Sequence, residues 1–168
     1  TSKNLKSKLK KFFLENFNYC PKIKLVNHQL AHIACAFYSS GFKKATCISL
    51  DGFGDKKSGL ISEVSIEKGI KKLEFISKKN SIGNFYTMIT EFLGYKTGDE
   101  YKVMGLAAYG RNKVDFSKVI KFDSKYWKFK GGFYSDRQSP YLTTYSDKFE
   151  KLFKKYKRKP NQKINQLH

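Results

Sequence analysis

The stretch VNHQLAHIACAFYSSGF (26–42), continued by KKATCISLDGFGDKKSGLIS (43–62), decides the fold of this chain. Its first part predicts a helix over about residues 29–40, and Gly41 ends it because the left-handed position after a helix favours glycine. Residues 45–50 form an apolar run that is typical of a buried strand. The stretch therefore predicts a helix followed closely by a strand that ends in an acidic, glycine-rich turn.

Two histidines and two aspartates in this stretch are candidates for a functional site. His28 and His32 are four residues apart, so on a helix both imidazoles leave the same face, close enough to share one metal ion. Asp51 and Asp55 frame two glycines, where a backbone can approach an ion or a phosphate. Ordinary explanations stand beside these, because histidine pairs at this spacing arise by chance and Asp-Gly is a common turn dipeptide.

The rest of the chain supplies further helices and strands. Helices are predicted over residues 1–20, 82–92, 102–109 and 147–157, and strands over 22–26, 58–67 and 71–77. Asn80 or Ser81 caps the helix that starts at Ile82, and Gly110 ends the helix predicted over residues 102–109. We expect the four strands to share one sheet, packed by the helices that start near Gln29 and Ile82.

Composition limits the class of protein. The chain has 168 residues, of which 40% are hydrophobic, enough to build a core in one domain or in a piece of a larger one. No apolar run approaches the ~20 residues of a membrane span and no signal peptide is visible, so we expect no membrane association. Three cysteines without metal-binding spacing indicate reduced thiols in a cytoplasmic protein: Cys20, Cys35 and Cys47.

The net charge of +20 raises the question of nucleic-acid binding. Only three of the 34 basic residues are arginines, although arginine is favoured for base-edge and bidentate phosphate contacts. Enrichment in lysine, phenylalanine, tyrosine, isoleucine and asparagine is also what an AT-rich genome imposes. The composition therefore disfavours nucleic acid as the main partner.

Four motifs in one order carry a family resemblance. They are H-x-x-x-H (28–32), L-D-G-x-G-D (50–55), S-I-G-x-x-Y (81–86) and E-Y-K-V-M-G-L-A-x-Y-G (100–110). With these motifs the chain resembles the carbamoyltransferases, the family of nodulation-factor and antibiotic O-carbamoyltransferases. That family is related to the hydrogenase-maturation carbamoyltransferase and to the tRNA threonylcarbamoyl transferase. The resemblance covers about residues 24–110.

The resemblance implies an α/β fold of the actin-like class shared by sugar kinases and heat-shock chaperones. Residues 1–110 would form one incomplete lobe with a mixed sheet and flanking helices, and residues 111–168 an insertion or the start of the next subdomain. It also implies an enzyme that forms carbamoyladenylate from carbamoyl phosphate and ATP and passes the carbamoyl group to a hydroxyl.

Site residues follow from the same resemblance, motif by motif. It implies a metal site, for a divalent or iron ion, at His28, His32 and Asp51, although Asp51 and Asp55 could exchange roles. Residues that would face the nucleotide and its phosphates are Gly52, Gly54, Asp55, Gly83, Asn84 and Lys102. Lys102 could equally pair with a neighbouring acid. No catalytic residue is implied, and we expect the three metal ligands to converge on one point.

The resemblance also implies missing parts. The family's opening strand with its phosphate hairpin, its second lobe and its C-terminal domain are not among the 168 residues, so we expect a fragment, inactive alone, whose partner is the rest of its parent polypeptide. Two alternatives stay open. One is an enzyme like the tRNA threonylcarbamoyl transferase, and the other is a non-catalytic basic module that binds nucleic acid.

Overall fold

A three-stranded antiparallel sheet is the framework of the molecule. The computed structural model describes residues 2–110, 114–123, 125–134 and 144–158. Its sheet has the order β1 (Lys44–Gly54), β2 (Lys57–Ser65) and β3 (Gly69–Ser77), so each strand is joined to the next by a tight connection. A β-bulge near the end of β1 interrupts its pairing with β2 between Leu50 and Gly54.

The described part of the chain contains five α-helices, of which the second and third pack on the sheet. They are α1 (Ser2–Phe17), α2 (His28–Ser39), α3 (Ile82–Phe92), α4 (Glu100–Ala107) and α5 (Asp147–Phe153). Short 3-10 turns follow β3 and α5, at Lys78–Asn80 and Lys154–Tyr156. A small hairpin pairs β4 (Ile120–Phe122) with β5 (Trp127–Phe129). No helix within the described ranges is long and apolar enough to cross a membrane.

Helix α2 packs on the sheet through a small core. Ile33 and Phe37, four residues apart on one face of α2, meet Leu60 and Val64 of β2, and all four side chains are almost completely buried. Burying a large apolar side chain contributes roughly 1.5–3 kcal/mol. This core holds the histidine helix against the strands that follow it.

A second core joins α3 to the C-terminal part of the chain. Met88 and Phe92 of α3 are buried there, and the later members are Val119, Phe133, Tyr145, Phe149 and Phe153. The aromatic residues of this C-terminal part therefore have a packing role. They cover the face of α3 and so help to hold this helix in place.

Most predicted elements are confirmed, with small shifts of their ends. The mixed α/β class is observed and α3 has the predicted bounds. The predicted mixed sheet is wrong, because the short connections between consecutive strands make both pairings antiparallel. Helix α4 begins two residues before the predicted start and ends two before the predicted end, and β1 continues to Gly54. An actin-like lobe and a division at residue 110 stay predictions. Residues 111–113, 124, 135–143 and 159–168 of the predicted second segment lie outside the described residues.

The strand predicted over residues 22–26 is wrong. This segment has no regular structure, and the sheet contains three strands rather than the predicted four. Alternation of lysine with apolar residues suits a strand, but a strand also needs a neighbour whose backbone groups it can bond. The apolar side chains of Leu25 and Val26 instead line an open cavity beside the start of α2.

Candidate metal centre

The start of α2 is tied to the turn between β1 and β2. The Asn27 side chain caps the helix by accepting a hydrogen bond from the Leu30 N–H (3.2 Å). The Asp55 carboxylate accepts hydrogen bonds from the His28 N–H (2.8 Å) and from Asn27 Nδ2 (3.1 Å). A carboxylate is favourable there because unpaired N–H groups and the helix dipole make a helix N-terminus positive. These bonds place His28 over the end of β1.

The turn itself is made by Asp55 and Lys56. Both have positive φ angles, 49° and 64°, and they connect the paired residues Gly54 and Lys57. A two-residue hairpin of this kind suits the right-handed twist of the strands, although it usually contains glycine. Asp55 therefore forms the turn and caps α2, and these structural roles explain an aspartate at this position without any contact with phosphate.

His28, His32 and Asp51 converge on one point, as predicted. His28 Nε2 lies 2.5 Å from Asp51 Oδ2, and His32 Nε2 lies 3.1 Å from His28 Nε2 and 3.7 Å from the same carboxylate oxygen. One ligand atom from each residue lies within 4.8 Å of the others. The two imidazole rings meet edge to face with their centroids 4.6 Å apart. The three groups are between a third and just over half exposed, so the point they share is open to solvent.

The arrangement of nitrogen and oxygen atoms in this cluster suits a shared cation better than hydrogen bonds alone. An imidazole nitrogen has one in-plane position, which holds either a proton or a lone pair. His28 Nε2 has two close neighbours, Asp51 Oδ2 and His32 Nε2, so it can form a hydrogen bond with only one of them if Asp51 is ionised. A metal ion bound to all three would use the lone pairs of both nitrogens and the carboxylate oxygen together. Two imidazoles and one carboxylate are donors that suit iron, zinc and manganese.

Asp51 is held in its ionised form. The hydrogen bond with His28 is the main factor that lowers the pKa of this carboxyl. A hydrogen bond from the Gly52 N–H to Oδ1 (2.6 Å) and the charges of the nearby imidazoles lower the pKa further. Partial burial acts in the opposite direction and raises it. An ionised carboxylate is the form that binds a cation.

The first turn of α3 touches the backbone of the acidic loop. The Ser81 hydroxyl donates to the Asp51 carbonyl (2.9 Å) and accepts from the Asn84 N–H (2.9 Å), so it caps α3 and anchors the helix to β1 at once. A Cβ on Gly83 would lie 2.6 Å from the Gly52 nitrogen and 2.8 Å from the Asp51 carbonyl carbon. Only glycine permits this approach. A Cβ on Gly52 would only touch the Asn84 side chain, at 3.4 Å.

Gly54 makes room for the ring of His28. A Cβ at this position would lie 2.1 Å from His28 Cδ2 and 2.2 Å from Cγ, far inside van der Waals contact. Close packing therefore explains glycine at positions 54 and 83, two of the positions predicted from the sequence to face the nucleotide and its phosphates. A phosphate role for them stays a prediction.

Gly54→Ala is expected to displace the His28 ring and lower the affinity for Zn²⁺ about ten-fold. Alanine is compatible with the extended backbone there, so the ring must move rather than the strand, and metal sites lose about 10–100-fold when ligand orientation is disturbed. Competition with a chromophoric chelator measures the change. Gly105→Ala, where a Cβ meets nothing within 4 Å, is the matched control and should bind Zn²⁺ normally. Equal affinities for both variants would contradict the prediction.

Lys102 is paired with the residue that precedes its helix. Its Nζ lies 2.8 Å from the Asp99 carboxylate, an i, i+3 pair that raises the pKa of Lys102 and lowers that of Asp99. Glu100 instead accepts a hydrogen bond from Thr87 of α3 (2.7 Å). Of the two explanations open for Lys102, the structure shows the local pair. A phosphate role for this lysine stays a prediction.

Two buried polar residues beside the cluster were not found from the sequence. Gln29 follows His28 and is completely buried; its side chain accepts from the Ser49 hydroxyl (2.7 Å) and donates to the Lys57 carbonyl (3.3 Å). Ser49 in turn accepts from the Leu60 N–H (3.0 Å). These bonds join α2 to β1 and β2 next to His28 and Asp51. A serine inside the apolar run 45–50 is the one signal that could have revealed them.

Comparison with known proteins identifies the family. The family model described as carbamoyltransferase N-terminus matches residues 3–166. Nodulation protein NolNO of Sinorhizobium fredii is 42% identical over 89 residues, which are 53% of this chain and 13% of that protein. Nodulation protein NolO of Bradyrhizobium diazoefficiens is 42% identical over 85 residues, 51% of this chain and 15% of that protein.

A further relative matches a larger share of this chain. The uncharacterized protein MJ1058 of Methanocaldococcus jannaschii is 33% identical over 132 residues, covering 70% of this chain and 21% of that protein. This chain therefore spans only about an eighth to a fifth of the length of these curated relatives. Because the family model covers nearly every residue, the predicted resemblance is confirmed, and the chain belongs to the carbamoyltransferase family through its N-terminal domain.

Proposed function

We propose that this chain is part of an ATP-dependent O-carbamoyltransferase and carries its metal centre. The observation that supports this most directly is the convergence of His28, His32 and Asp51 at the junction of α2 and β1, in a member of the carbamoyltransferase family. The much greater length of the relatives supports a larger parent protein, whose remaining parts would complete the nucleotide site.

The three side chains would hold a divalent or iron ion. When bound, such an ion polarises a carbamoyl or phosphoryl oxygen and offsets negative charge on the phosphates. The protein's own part is to fix the ligands. The α2 core sets the direction of both imidazoles, while Gly52 and Ser81 hold the carboxylate and the backbone of Asp51.

Substrates would approach the cluster from its solvent side. We assign contacts with nucleotide or phosphate to the first turn of α3 and to the acidic loop, at Gly52, Gly54, Asp55, Gly83, Asn84 and Lys102. An open cavity of about 810 Å³ lies beside Gly54 and Asp55, with Phe53 and Leu25 in its apolar wall and Lys56 and Lys78 at its edge. This volume falls in the range of small-molecule sites, and such a wall suits a base while lysines suit phosphates.

The proposed reaction balances in two stages. Water first hydrolyses carbamoyl phosphate to carbamate and inorganic phosphate. A carbamate oxygen then bonds to the α-phosphorus of ATP, and the bond between that phosphorus and pyrophosphate breaks. The acceptor hydroxyl then bonds to the carbamoyl carbon, AMP leaves with the former carbamate oxygen, and the hydroxyl proton goes to solvent. The products are a carbamate ester, AMP, pyrophosphate and phosphate.

Assay of the full-length parent protein tests the proposal. Incubated with ATP and carbamoyl phosphate, it should release pyrophosphate and form carbamoyladenylate, detected by mass spectrometry. His32→Ala should abolish this, whereas Cys35→Ala, an exposed position on the same helix, should leave it unchanged. A folded protein that forms no adenylate, or a His32→Ala variant as active as the parent, would overturn the proposal.

The alternative functions are not favoured. The match of nearly the whole chain to the carbamoyltransferase family favours a transferase over a basic nucleic-acid-binding module. The relatives that share 42% identity are nodulation proteins rather than tRNA-modifying ones by name. A cytoplasmic location is part of the proposal and is supported by the three cysteines, which are all free thiols.

A further inference from the structure

A second cavity lies between the β4–β5 hairpin region and α5. Its volume is about 510 Å³, and it opens widely to solvent. Phe133 and Leu152 form its apolar floor, and the other lining residues in the described part of the chain are lysines, namely Lys118, Lys130, Lys148 and Lys151. None of these residues belongs to the metal centre or to the cavity beside it.

The lysines of this cavity differ from others nearby in their partners. Four lysines of the same half of the chain are ion-paired: Lys102 with Asp99, Lys125 with Glu74, Lys128 with Asp123 and Lys157 with Glu150. Within the parts of the chain that the structure describes, the four cavity lysines have no carboxylate within ion-pair distance. Lys148 lies over the Phe133 ring (4.7 Å to its centroid), and Lys130 donates to the Ser117 carbonyl (2.9 Å).

Among the described residues, three acids lie close to these lysines in space or in sequence: Asp115, and Asp147 and Glu150 of α5, of which Glu150 is paired with Lys157. The two Asp115 oxygens accept hydrogen bonds from the N–H and the hydroxyl of Ser117, both at 2.8 Å. These bonds lower the pKa of Asp115, and the charges of Lys118 and Lys130 lower it further. The four ammonium groups outnumber these three carboxylates, and Glu150 already pairs with Lys157, so the cavity keeps a net positive field over an apolar floor.

We propose that this cavity binds a small ligand that carries a short chain of phosphates, such as inorganic tripolyphosphate or the triphosphate of a nucleotide. Lysine ammonium groups on flexible stems suit a ligand with several oxygens that change direction along the chain. The cavity is large enough for three linked phosphates, and the apolar floor and lysine stems can contact an uncharged part of the ligand. The site is independent of the proposed carbamoyl transfer.

Calorimetric titration of the 168-residue chain with sodium tripolyphosphate tests this proposal. The triple variant Lys118→Gln, Lys148→Gln, Lys151→Gln should lose about ten-fold in affinity, because each exposed lysine–phosphate contact contributes a few-fold. A control triple variant at exposed lysines away from the cavity removes the same charge: Lys43→Gln, Lys68→Gln and Lys72→Gln. It should keep at least half of the affinity.

Two further measurements make the result decisive. Tripolyphosphate should protect Lys118, Lys148 and Lys151 from acetylation, read by mass spectrometry, and leave Lys68 and Lys72 reactive. The chain should bind ATP more tightly than AMP, and this preference should fall in the cavity triple variant but not in the control triple variant. Equal loss in both triple variants, or no protection of the cavity lysines, would overturn the proposal. So would tighter binding of duplex DNA than of tripolyphosphate with loss in the same variant, since that result would assign the lysines to nucleic acid.

Discussion

Asp51→Asn is expected to weaken Zn²⁺ binding by at least about 100-fold. Disturbing a residue that only orients a ligand already costs about 10–100-fold, and this change removes an anionic ligand itself. Asparagine keeps the shape of the side chain and can still accept the hydrogen bond from the Gly52 N–H, so the local backbone should be preserved. Competition with a chromophoric chelator measures the affinity, and Mn²⁺ and Fe²⁺ are titrated in the same way.

The matched control is Asp99→Asn. It removes the same charge from a carboxylate that is also paired with a basic side chain, Lys102, but lies outside the cluster. Its Zn²⁺ affinity should equal that of the parent chain. His28→Ala and His32→Ala should lose affinity as Asp51→Asn does. If Asp51→Asn and Asp99→Asn bind Zn²⁺ equally well, Asp51 is not a ligand.

Gly83→Ala is expected to lower the free energy of unfolding by about 3 kcal/mol, at the upper end of overpacking costs. The added Cβ would lie 2.6 Å from the Gly52 nitrogen and 3.0 Å from the Asp51 oxygen. These are backbone atoms, so no side-chain rotation can relieve the clash, and α3 must move away from β1. The Ser81 hydrogen bond to the Asp51 carbonyl would then lengthen or break. Urea unfolding followed by circular dichroism measures the change.

Gly105→Ala again provides the comparison. Gly105 is also helical, in α4, but a Cβ there meets nothing within 4 Å. Alanine is a better helix former than glycine by up to ~1 kcal/mol, so this variant should be as stable as the parent or slightly more. The opposite signs of the two changes separate a packing effect from helix propensity. A Gly83→Ala chain as stable as the parent would show that α3 does not approach the loop this closely.

Local patterns were enough to predict much of the fold. The four-residue spacing of His28 and His32 places their rings on one face of any helix, and the pattern of residues 58–77 predicts the two strands found there. Ser81 was one of two predicted caps, and its hydroxyl does accept from the Asn84 N–H. Each of these features depends on residues within one or two turns of each other, where spacing alone determines geometry.

Contacts between distant residues were decided by the tertiary structure. The strand predicted over residues 22–26 failed because pairing requires a neighbour that the pattern cannot supply. Glycine at positions 54 and 83 is required because a histidine ring and a loop backbone, each 26 to 32 residues away in sequence, come within 3 Å of where a Cβ would lie. Asp55 caps a helix that starts 27 residues earlier. The sequence by itself determined which side chains could meet a metal ion. Only the packing of α2 and α3 against β1 brings the Asp51 carboxylate to the two imidazoles. The approach of residues far apart in sequence depends on shape complementarity, which periodicity does not describe.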